Sequence, residues 1–169
     1  DPAAELPGIV LACDAEIHVQ GRGGARVVAA EAFFDGIFST ALAEGEMITE
    51  IVFPAWPAGR CWGFQEVSRR EGDFAMVGIA AWFDIGNDGC ISGARIAAIG
   101  AGETPLRLHA SEAALIGETP GAALFGDAAG AGITDLQPGD DIHASAEYRR
   151  EVGAVLIERV LDQAWRRSA

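Results

Sequence analysis

Apolar and polar residues follow several different periods in the first third of the chain. Residues 3–13, AAELPGIVLAC, are apolar at helical spacing and predict a short helix. The stretches EIHVQ and RVVAA alternate on either side of GRGGA, which predicts a β-hairpin. The stretch EAFFDGIFSTAL predicts irregular to helical structure in which Phe33, Phe34, Phe38 and Leu42 pack, and MITEIVFP predicts a strand that ends at Pro54.

The segment AWPAGR, residues 55–60, contains proline and glycine and is the best candidate for a boundary between two lobes. Three strand-like runs follow it: CWGFQEVSR, AMVGIAAWFDI and ISGARIAAIG. The second and third runs are separated by GNDG, which has the composition of a tight turn with positive φ. We therefore expect these three strands to form an antiparallel meander.

The last third of the chain has helical periodicity. The stretch TPLRLHASEAALIG predicts a helix with Thr104 as its N-cap and Pro105 at its first position. GAALFGDAAGAG predicts a weak helix, and residues 145–168 predict a strong one whose terminal arginines suit the helix dipole. The fold class is therefore α+β, a small mixed lobe to about residue 55 and then a sheet covered by helices. For the core of this second lobe we expect Trp62, Phe64, Val77, Ile79, Ile96, Leu115, Val155 and Leu156.

Composition excludes several classes of function. The net charge is −13 and all 12 basic residues are arginines, so clustered positive charge for nucleic acid is lacking. No apolar run approaches the ~20 residues that span a bilayer, and the N-terminus does not resemble a signal peptide, so we expect a cytoplasmic protein without membrane insertion. The three cysteines and three histidines are scattered, which predicts no metal site. No nucleophile stands in a catalytic motif, so no catalytic residue is expected in this chain.

Five stretches, taken together and in order, resemble a known family. They are DPAAELPGIVLACDAEI, FFDGIFSTALAEGEMITEIVFP, GFQEVSRREGDFAMVGIAA, TPLRLHASEAALIG and DIHASAEYRREVGAVLIERVL. They resemble the medium, FAD-carrying subunit of the carbon monoxide dehydrogenase and xanthine dehydrogenase group of molybdenum hydroxylases. The resemblance implies that residues 1–57 are the remainder of an FAD-binding domain, that is, the C-terminal half of a flavin-binding α+β domain. It implies the family's C-terminal flavoprotein domain in residues 58–169, a three-stranded antiparallel sheet packed with helices.

The resemblance also implies a function and partners. In the family, electrons pass from [2Fe-2S] clusters of a small subunit through FAD to an acceptor, and the molybdenum cofactor belongs to a large subunit. Family members begin with two glycine-rich loops that bind the FAD diphosphate, and this sequence contains neither loop. We therefore expect the complete subunit to bind FAD, and residues 1–169 alone to bind it weakly or not at all and to be inactive alone. The alternative is a cofactor-free scaffold or interaction fragment of such a subunit.

Site residues are implied by the resemblance alone. Glu5 matches a position on the ribityl and phosphate side of the flavin, although it is also a good first-turn acid for a helix. Asp1 and Pro2 lie nearest to the missing glycine-rich loop, and Asp1 is expected to line the same channel. Ile48 matches an apolar position beside the isoalloxazine edge, and an isoleucine in a strand is equally an ordinary core residue. Gln65 stands where xanthine-type relatives carry a lysine, which favours the carbon monoxide dehydrogenase-like branch over the NAD-reducing one.

The segment RREGDFA is implied to cross the flavin between two strands. Phe74 corresponds to an aromatic residue that covers one face of the isoalloxazine, and Asp73 is expected to fix the loop and approach the flavin edge. Without the resemblance, the segment is a charged hairpin turn with an incidental phenylalanine.

Two further expectations concern structure. Arg107 and Glu112 are five residues apart on the predicted helix, so we expect them to reach separate partners. In DDIHASAEYRR, Ser145 is expected to cap the last helix, and Tyr148, Arg149 and Arg150 to tie it to the sheet.

Overall fold

A computed structural model describes residues 1–70 and 72–168, so Glu71 of the RREGDFA segment lies outside the described residues. The helices of the described part are α1 (Glu5–Ala12), α2 (His109–Leu115), α3 (Ala122–Gly132) and α4 (Ala146–Ser168). Its strands are β1 (Glu16–Gly21), β2 (Gly24–Ala29), β3 (Phe34–Gly36), β4 (Ser39–Thr40), β5 (Met47–Val52), β6 (Cys61–Ser68), β7 (Ala75–Ile85), β8 (Ile91–Ile99) and β9 (Leu106–Arg107).

The strands form antiparallel sheets, as the alternation predicted. β1 pairs with β2 in the predicted hairpin and with β5 on its other side, giving the order β2-β1-β5. The predicted meander of β6, β7 and β8 is confirmed, and the short β9 extends it to the order β6-β7-β8-β9. The predicted α+β fold class is therefore confirmed.

The two faces of the larger sheet contact different parts of the chain. Successive side chains of a strand point to opposite faces. On β7, Val77, Ile79 and Phe83 belong to the core shared with α2, α3 and α4. Ala80, on the other face, belongs to a second core built on α1 and β1. The sheet is thus covered on both faces, by α2, α3 and α4 on one and by α1 and β1 on the other.

The close packing of helices against the sheet depends on two glycines, which have no side chain. A Cβ atom at Gly63 of β6 would lie 2.6 Å from the carbonyl oxygen of Val160 in α4. A Cβ at Gly8 of α1 would lie 2.5 Å from Ile99 Cγ2 on β8. Both distances are shorter than carbon and oxygen atoms tolerate, so glycine at these positions sets how closely α4 and α1 approach the sheet.

Several packing predictions were wrong. Trp62 and Val155 were expected in the core, but they are 47% exposed. Trp62 alternates with Cys61 and Gly63 on the edge strand β6 and lies on the face away from α4, whereas Val155 lies on the outer side of α4. Phe38 was expected to pack, yet it is 79% exposed because the EAFFDGIFSTAL stretch forms the small β3–β4 hairpin instead of a helix. The other predicted core residues are buried or partly buried.

The helix predicted to begin at Pro105, with Thr104 as its N-cap, begins four residues later, at His109. Leu106 and Arg107 instead form β9, which pairs with Ala98 and Ala97 of β8. Arg107 therefore does not share a helix with Glu112, and the two are direct partners, contrary to expectation. The Arg107 guanidinium donates two hydrogen bonds of 2.7 Å to the two carboxylate oxygens of Glu112, and both side chains are nearly buried.

Candidate functional site

The candidate site is the loop between β6 and β7. Gly72 has a φ of +79°, a conformation that glycine adopts without strain. The Asp73 N–H donates to the carbonyl oxygen of Arg70 at 3.1 Å, and Asp73 Oδ1 accepts from the N–H of Phe74 at 3.0 Å. Ser68 Oγ also donates to the Arg70 carbonyl oxygen, at 2.9 Å. The loop is thus held by its own polar groups, while the Phe74 side chain is 62% exposed.

Phe74 lines a cavity of about 140 Å³, here called the Phe74 cavity. Its walls come from three distant parts of the chain: Ala3, residues 69 and 73–76, and Asp141, His143 and Arg149. A larger cavity of about 420 Å³ adjoins it, because Ala3, Asp141 and Arg149 also line that one. The two cavities form a cleft at the end of the larger sheet, next to the exposed aromatic ring.

Arg149 holds one wall of this cleft in place. It is 6% exposed, and its Nη1 donates to the carbonyl oxygens of Met76 at 2.5 Å and Gly100 at 2.9 Å. Its Nη2 donates to Asp141 Oδ2 at 2.6 Å. Arg149 thus ties α4 to the ends of β7 and β8, as predicted, and Ser145 Oγ accepts the Tyr148 N–H as the predicted cap. Tyr148 and Arg150 are exposed, and no hydrogen bond of the described residues links their side chains to the sheet.

The 137–143 segment is fixed to this arginine. Asp141 Oδ1 accepts hydrogen bonds from the N–H groups of His143 and Ala144. Desolvation by burial raises the pKa of Asp141, but these two bonds and the bond from Arg149 outweigh it, so the pKa is lowered. Arg69 Nη1 lies 2.8 Å from His143 Nδ1, which links this segment to the Phe74 loop. Sequence reasoning missed these wall residues because they lie about 70 residues from Phe74 along the chain.

A few buried polar atoms of the described residues have no hydrogen-bond partner. Among the described residues, the buried side-chain atoms without a hydrogen-bond partner are His18 Nε2, Glu66 Oε2 and Arg149 Nε. Arg149 lines the Phe74 cavity, and Glu66 lies next to the residues that line it. Buried polar groups in proteins almost always have partners, so these atoms are exceptions among the described residues.

The predicted site residues separate into two groups. Asp1 Oδ1 accepts the N–H of Ala3 at 2.8 Å, so Asp1 adjoins the cavity, and Asp73 and Phe74 line it. Glu5 begins α1 and is close enough to Glu66 to raise its pKa.

Gln65 and Ile48 lie elsewhere. Gln65 pairs with Ile79, so it lies on the sheet face that packs against α4. Ile48 pairs with Val19 on β5 of the other sheet and is 40% exposed. Neither residue is among those that line the Phe74 cavity. The structure therefore unites Asp1, Asp73 and Phe74 and leaves Gln65 and Ile48 apart from them.

The described residues offer neither a metal centre nor a membrane-spanning helix. In the part of the chain that the structure describes, no group of three or more His, Cys, Asp or Glu residues is arranged to hold a metal ion. Within the same residues, no helix combines the length and the apolar character needed to cross a membrane.

Comparison with known proteins defines the class of this fold and cleft. The family model of the FAD binding domain in molybdopterin dehydrogenase matches residues 1–56. The model of the CO dehydrogenase flavoprotein C-terminal domain matches residues 62–164, more than half of the chain. The chain therefore belongs to the CO dehydrogenase flavoprotein family.

Curated relatives and solved structures agree with this assignment. The chain is 36% identical over 99% of its length to subunit alpha of the 6-hydroxypseudooxynicotine dehydrogenase complex of Paenarthrobacter nicotinovorans, covering 57% of that protein. It is 31% identical over 99% of its length to the carbon monoxide dehydrogenase medium chain of Hydrogenophaga pseudoflava, covering 58% of it. A solved structure of carbon monoxide dehydrogenase from Hydrogenophaga pseudoflava superposes with a TM-score of 0.95 at 34% identity, over 100% of this chain and 58% of that one.

A solved structure of a second enzyme has the same fold. Quinoline 2-oxidoreductase from Pseudomonas putida 86 superposes with a TM-score of 0.90 at 29% identity, over 99% of this chain and 58% of that one. The chain thus spans somewhat more than half the length of these relatives.

Proposed function

We propose that this chain serves as the FAD-binding part of a medium subunit of a molybdenum hydroxylase. In this role, electrons pass from the [2Fe-2S] clusters of a small subunit through FAD to an acceptor, and a large subunit holds the molybdenum cofactor. The flavin itself supplies the redox chemistry when bound, and the protein supplies binding, orientation and electrostatics. The relatives named above are subunits of dehydrogenases, which supports both the oxidoreductase role and the presence of partner subunits.

The observation that carries this proposal is the Phe74 cavity. An aromatic side chain exposed beside a cleft offers a face on which a planar ring can stack with its centroid roughly 4.5 to 7 Å away. Phe74 is 62% exposed, and the loop that carries it is held by hydrogen bonds, so the ring can cover a ligand without a change in the backbone.

The chain's own residues then have distinct roles. Phe74 covers one face of the isoalloxazine and excludes water from it. Asp73 orients Phe74 by accepting its backbone N–H, and Arg149 keeps the opposite wall at a fixed distance through Met76 and Asp141. Asp1 adjoins the same cavity, so we assign it a flavin contact as well.

The remaining assignments follow from the family. We assign residues 1–57 to the FAD-binding domain and residues 58–169 to the C-terminal flavoprotein domain. Flavin contacts by Glu5, Ile48 and Gln65 stay predictions of the resemblance. Of these, Glu5 is close enough to Glu66 to raise its pKa, and Ile48 and Gln65 would have to reach the flavin from outside the cavity.

The proposal is tested on the complete natural polypeptide that carries these 169 residues. FAD titrated into the flavin-free protein should bind with one FAD per chain, measured by the quenching of flavin fluorescence. Phe74→Ala should weaken that binding, whereas Phe53→Ala, which truncates another half-exposed phenylalanine, should not. A wild-type polypeptide that stays folded and binds no FAD would refute the proposal and favour the scaffold alternative.

A further inference from the structure

Another cavity, here called the tryptophan cavity, lies on the face of the larger sheet that carries α1. Its volume is about 420 Å³, and Trp56, Trp62 and Trp82 line it. Every other residue of its lining is hydrophobic or glycine. Trp56 is 48% exposed and Trp62 is 47% exposed, so this apolar surface is open to water. Contiguous exposed apolar surface is the usual mark of an interaction site.

The cavity is open because α1 covers only part of this sheet face. Trp62 on the edge strand β6 pairs with Trp82 on β7. Trp82 is 8% exposed, and its Nε1 donates to the carbonyl oxygen of Ala12 in α1 at 2.6 Å. Trp62 lies one strand further out, and half of its side chain stays exposed. The helix thus covers Trp82 and leaves Trp62 for another molecule.

The aromatic walls are already held in place in this structure. The guanidinium carbon of Arg60 lies 3.6 Å from the centroid of the Trp82 ring and 4.9 Å from that of Trp56. Arg60 itself is fixed by Asp84, whose two carboxylate oxygens accept its hydrogen bonds at 2.9 and 2.7 Å. Such cation–π contacts orient the rings. A partner that docks here therefore spends little free energy on ordering them.

The rim of the tryptophan cavity carries a positive charge. Arg167 is exposed, and its guanidinium carbon lies 4.2 Å from the centroid of the Trp62 ring. Among the described residues Arg167 forms no ion pair, whereas the neighbouring Arg166 pairs with Asp162 at 2.9 Å. The whole chain has a net charge of −13, so this cation is a local exception. Charge complementarity favours a partner that presents a carboxylate beside an apolar side chain.

The position of the cavity indicates which partner it serves. Met76 lines the Phe74 cavity and Ala80 lines the tryptophan cavity, and both belong to β7. Four residues of an extended strand span about 13 Å, and an even separation keeps both positions on one face. A molecule docked at the tryptophan cavity therefore lies beside the flavin. In the proposed function, the iron–sulfur subunit is the partner that passes electrons to this flavin.

We propose that the tryptophan cavity is the docking site for the iron–sulfur subunit, which inserts an apolar side chain into the cavity and places a carboxylate against Arg167. This inference rests on the proposed function and adds to it the surface on which the partner binds. Tryptophan and arginine are among the side chains most enriched at positions that dominate the affinity of protein interfaces. The cavity has both types at its open side.

The experiment measures the Kd between the complete natural polypeptide and the iron–sulfur subunit of the same enzyme, identified by its [2Fe-2S] absorption, by isothermal titration calorimetry. Trp62→Ala should raise this Kd at least about 30-fold. Arg167→Gln should raise it about two- to fivefold at low salt and weaken its dependence on salt. The controls are Arg166→Gln and Tyr148→Ala, which truncates a half-exposed aromatic residue of α4, and both should leave the Kd unchanged.

Urea unfolding of the free variants separates binding from folding. Arg167 is exposed and forms no ion pair among the described residues, so Arg167→Gln should keep the wild-type midpoint and decides the matter even where Trp62→Ala is unstable. An unchanged Kd for either folded variant, or a wild-type polypeptide that does not bind the iron–sulfur subunit, would overturn the docking site.

A second measurement identifies what covers the cavity. Hydroxyl-radical oxidation, read by mass spectrometry, should modify Trp56 and Trp62 in the free polypeptide and spare them in the complex. Protection already present in the free polypeptide would show that its own chain covers the cavity, and would overturn the assignment. Titration with FAD keeps the two proposals apart. A wild-type polypeptide that binds no FAD refutes the proposed function, whereas one that binds FAD and assembles as well with Trp62→Ala refutes the docking site alone.

Discussion

Replacing Phe74 by alanine tests whether this ring serves a ligand or the core. Full burial of a phenylalanine side chain contributes roughly 1.5 to 3 kcal/mol. Phe74 is 62% exposed, so truncation should lower the free energy of unfolding by about 1 kcal/mol at most. Loss of an aromatic stacking contact costs about 0.5 to 1.5 kcal/mol beyond area burial, so the Kd for FAD should rise about two- to tenfold.

The assay measures both quantities on the same variant. Urea unfolding of the flavin-free protein gives the stability change, and titration with FAD gives the affinity and the flavin absorbance spectrum. Phe83→Ala is the contrasting variant, because Phe83 is completely buried and its truncation should cost about 3 to 5 kcal/mol. A stability loss of that size for Phe74→Ala, together with an unaltered flavin spectrum and affinity, would refute the stacking role.

Three further predictions concern charged groups. Glu112→Ala should lower the free energy of unfolding by about 3 kcal/mol in urea, because the buried Arg107 guanidinium keeps only Asp14 as a carboxylate partner and the Ile96 N–H loses its acceptor; a loss below about 1 kcal/mol would contradict this. The hydrogen bond from Arg26 lowers the pKa of Glu46 from 4.5 to about 2. The stabilisation from the Arg26–Glu46 interaction is present above pH 4.5 and is lost as the pH falls toward 2. The Tm difference between wild type and Glu46→Gln should therefore shrink as the pH is lowered through that range. Burial raises the pKa of Glu66 above 4.5, so wild type should lose stability as the pH rises through the window above that value. Glu66→Gln should therefore have the higher Tm above that window and an equal Tm below it.

Local patterns in the sequence were sufficient for most of the fold. In β1, β2 and the three meander strands, successive side chains point to opposite faces of the sheet. This period of two residues can be recognised from neighbouring positions in the sequence alone. The helical spacing of α4 and the glycine-containing turns are equally local. The family resemblance added the flavin and the loop that carries Phe74, which no periodicity indicated.

Features that depend on distant residues could not be predicted in this way. Trp62 is half exposed because it lies on the edge strand β6, on the face opposite the main body of α4, with only the guanidinium of Arg167 near the end of α4 over its ring in the described part of that helix. Arg107 pairs with Glu112 because pairing with β8 draws residues 106–107 into a strand, against a local sequence that favours a helix. In both cases tertiary packing outweighs the local preference, which is worth only a few tenths of a kcal/mol per residue.

The cavity shows the same division most clearly. The sequence by itself determined that a short loop with Asp73 and Phe74 joins two strands. Only the tertiary structure placed Ala3 and Arg149 beside that loop and left Glu66 Oε2 without a partner. These groups meet because α1 and α4 pack on opposite faces of one sheet and their first turns reach the same end of it. Contacts between residues so far apart in the chain depend on tertiary packing, and they leave no repeating pattern in the sequence from which they could be predicted.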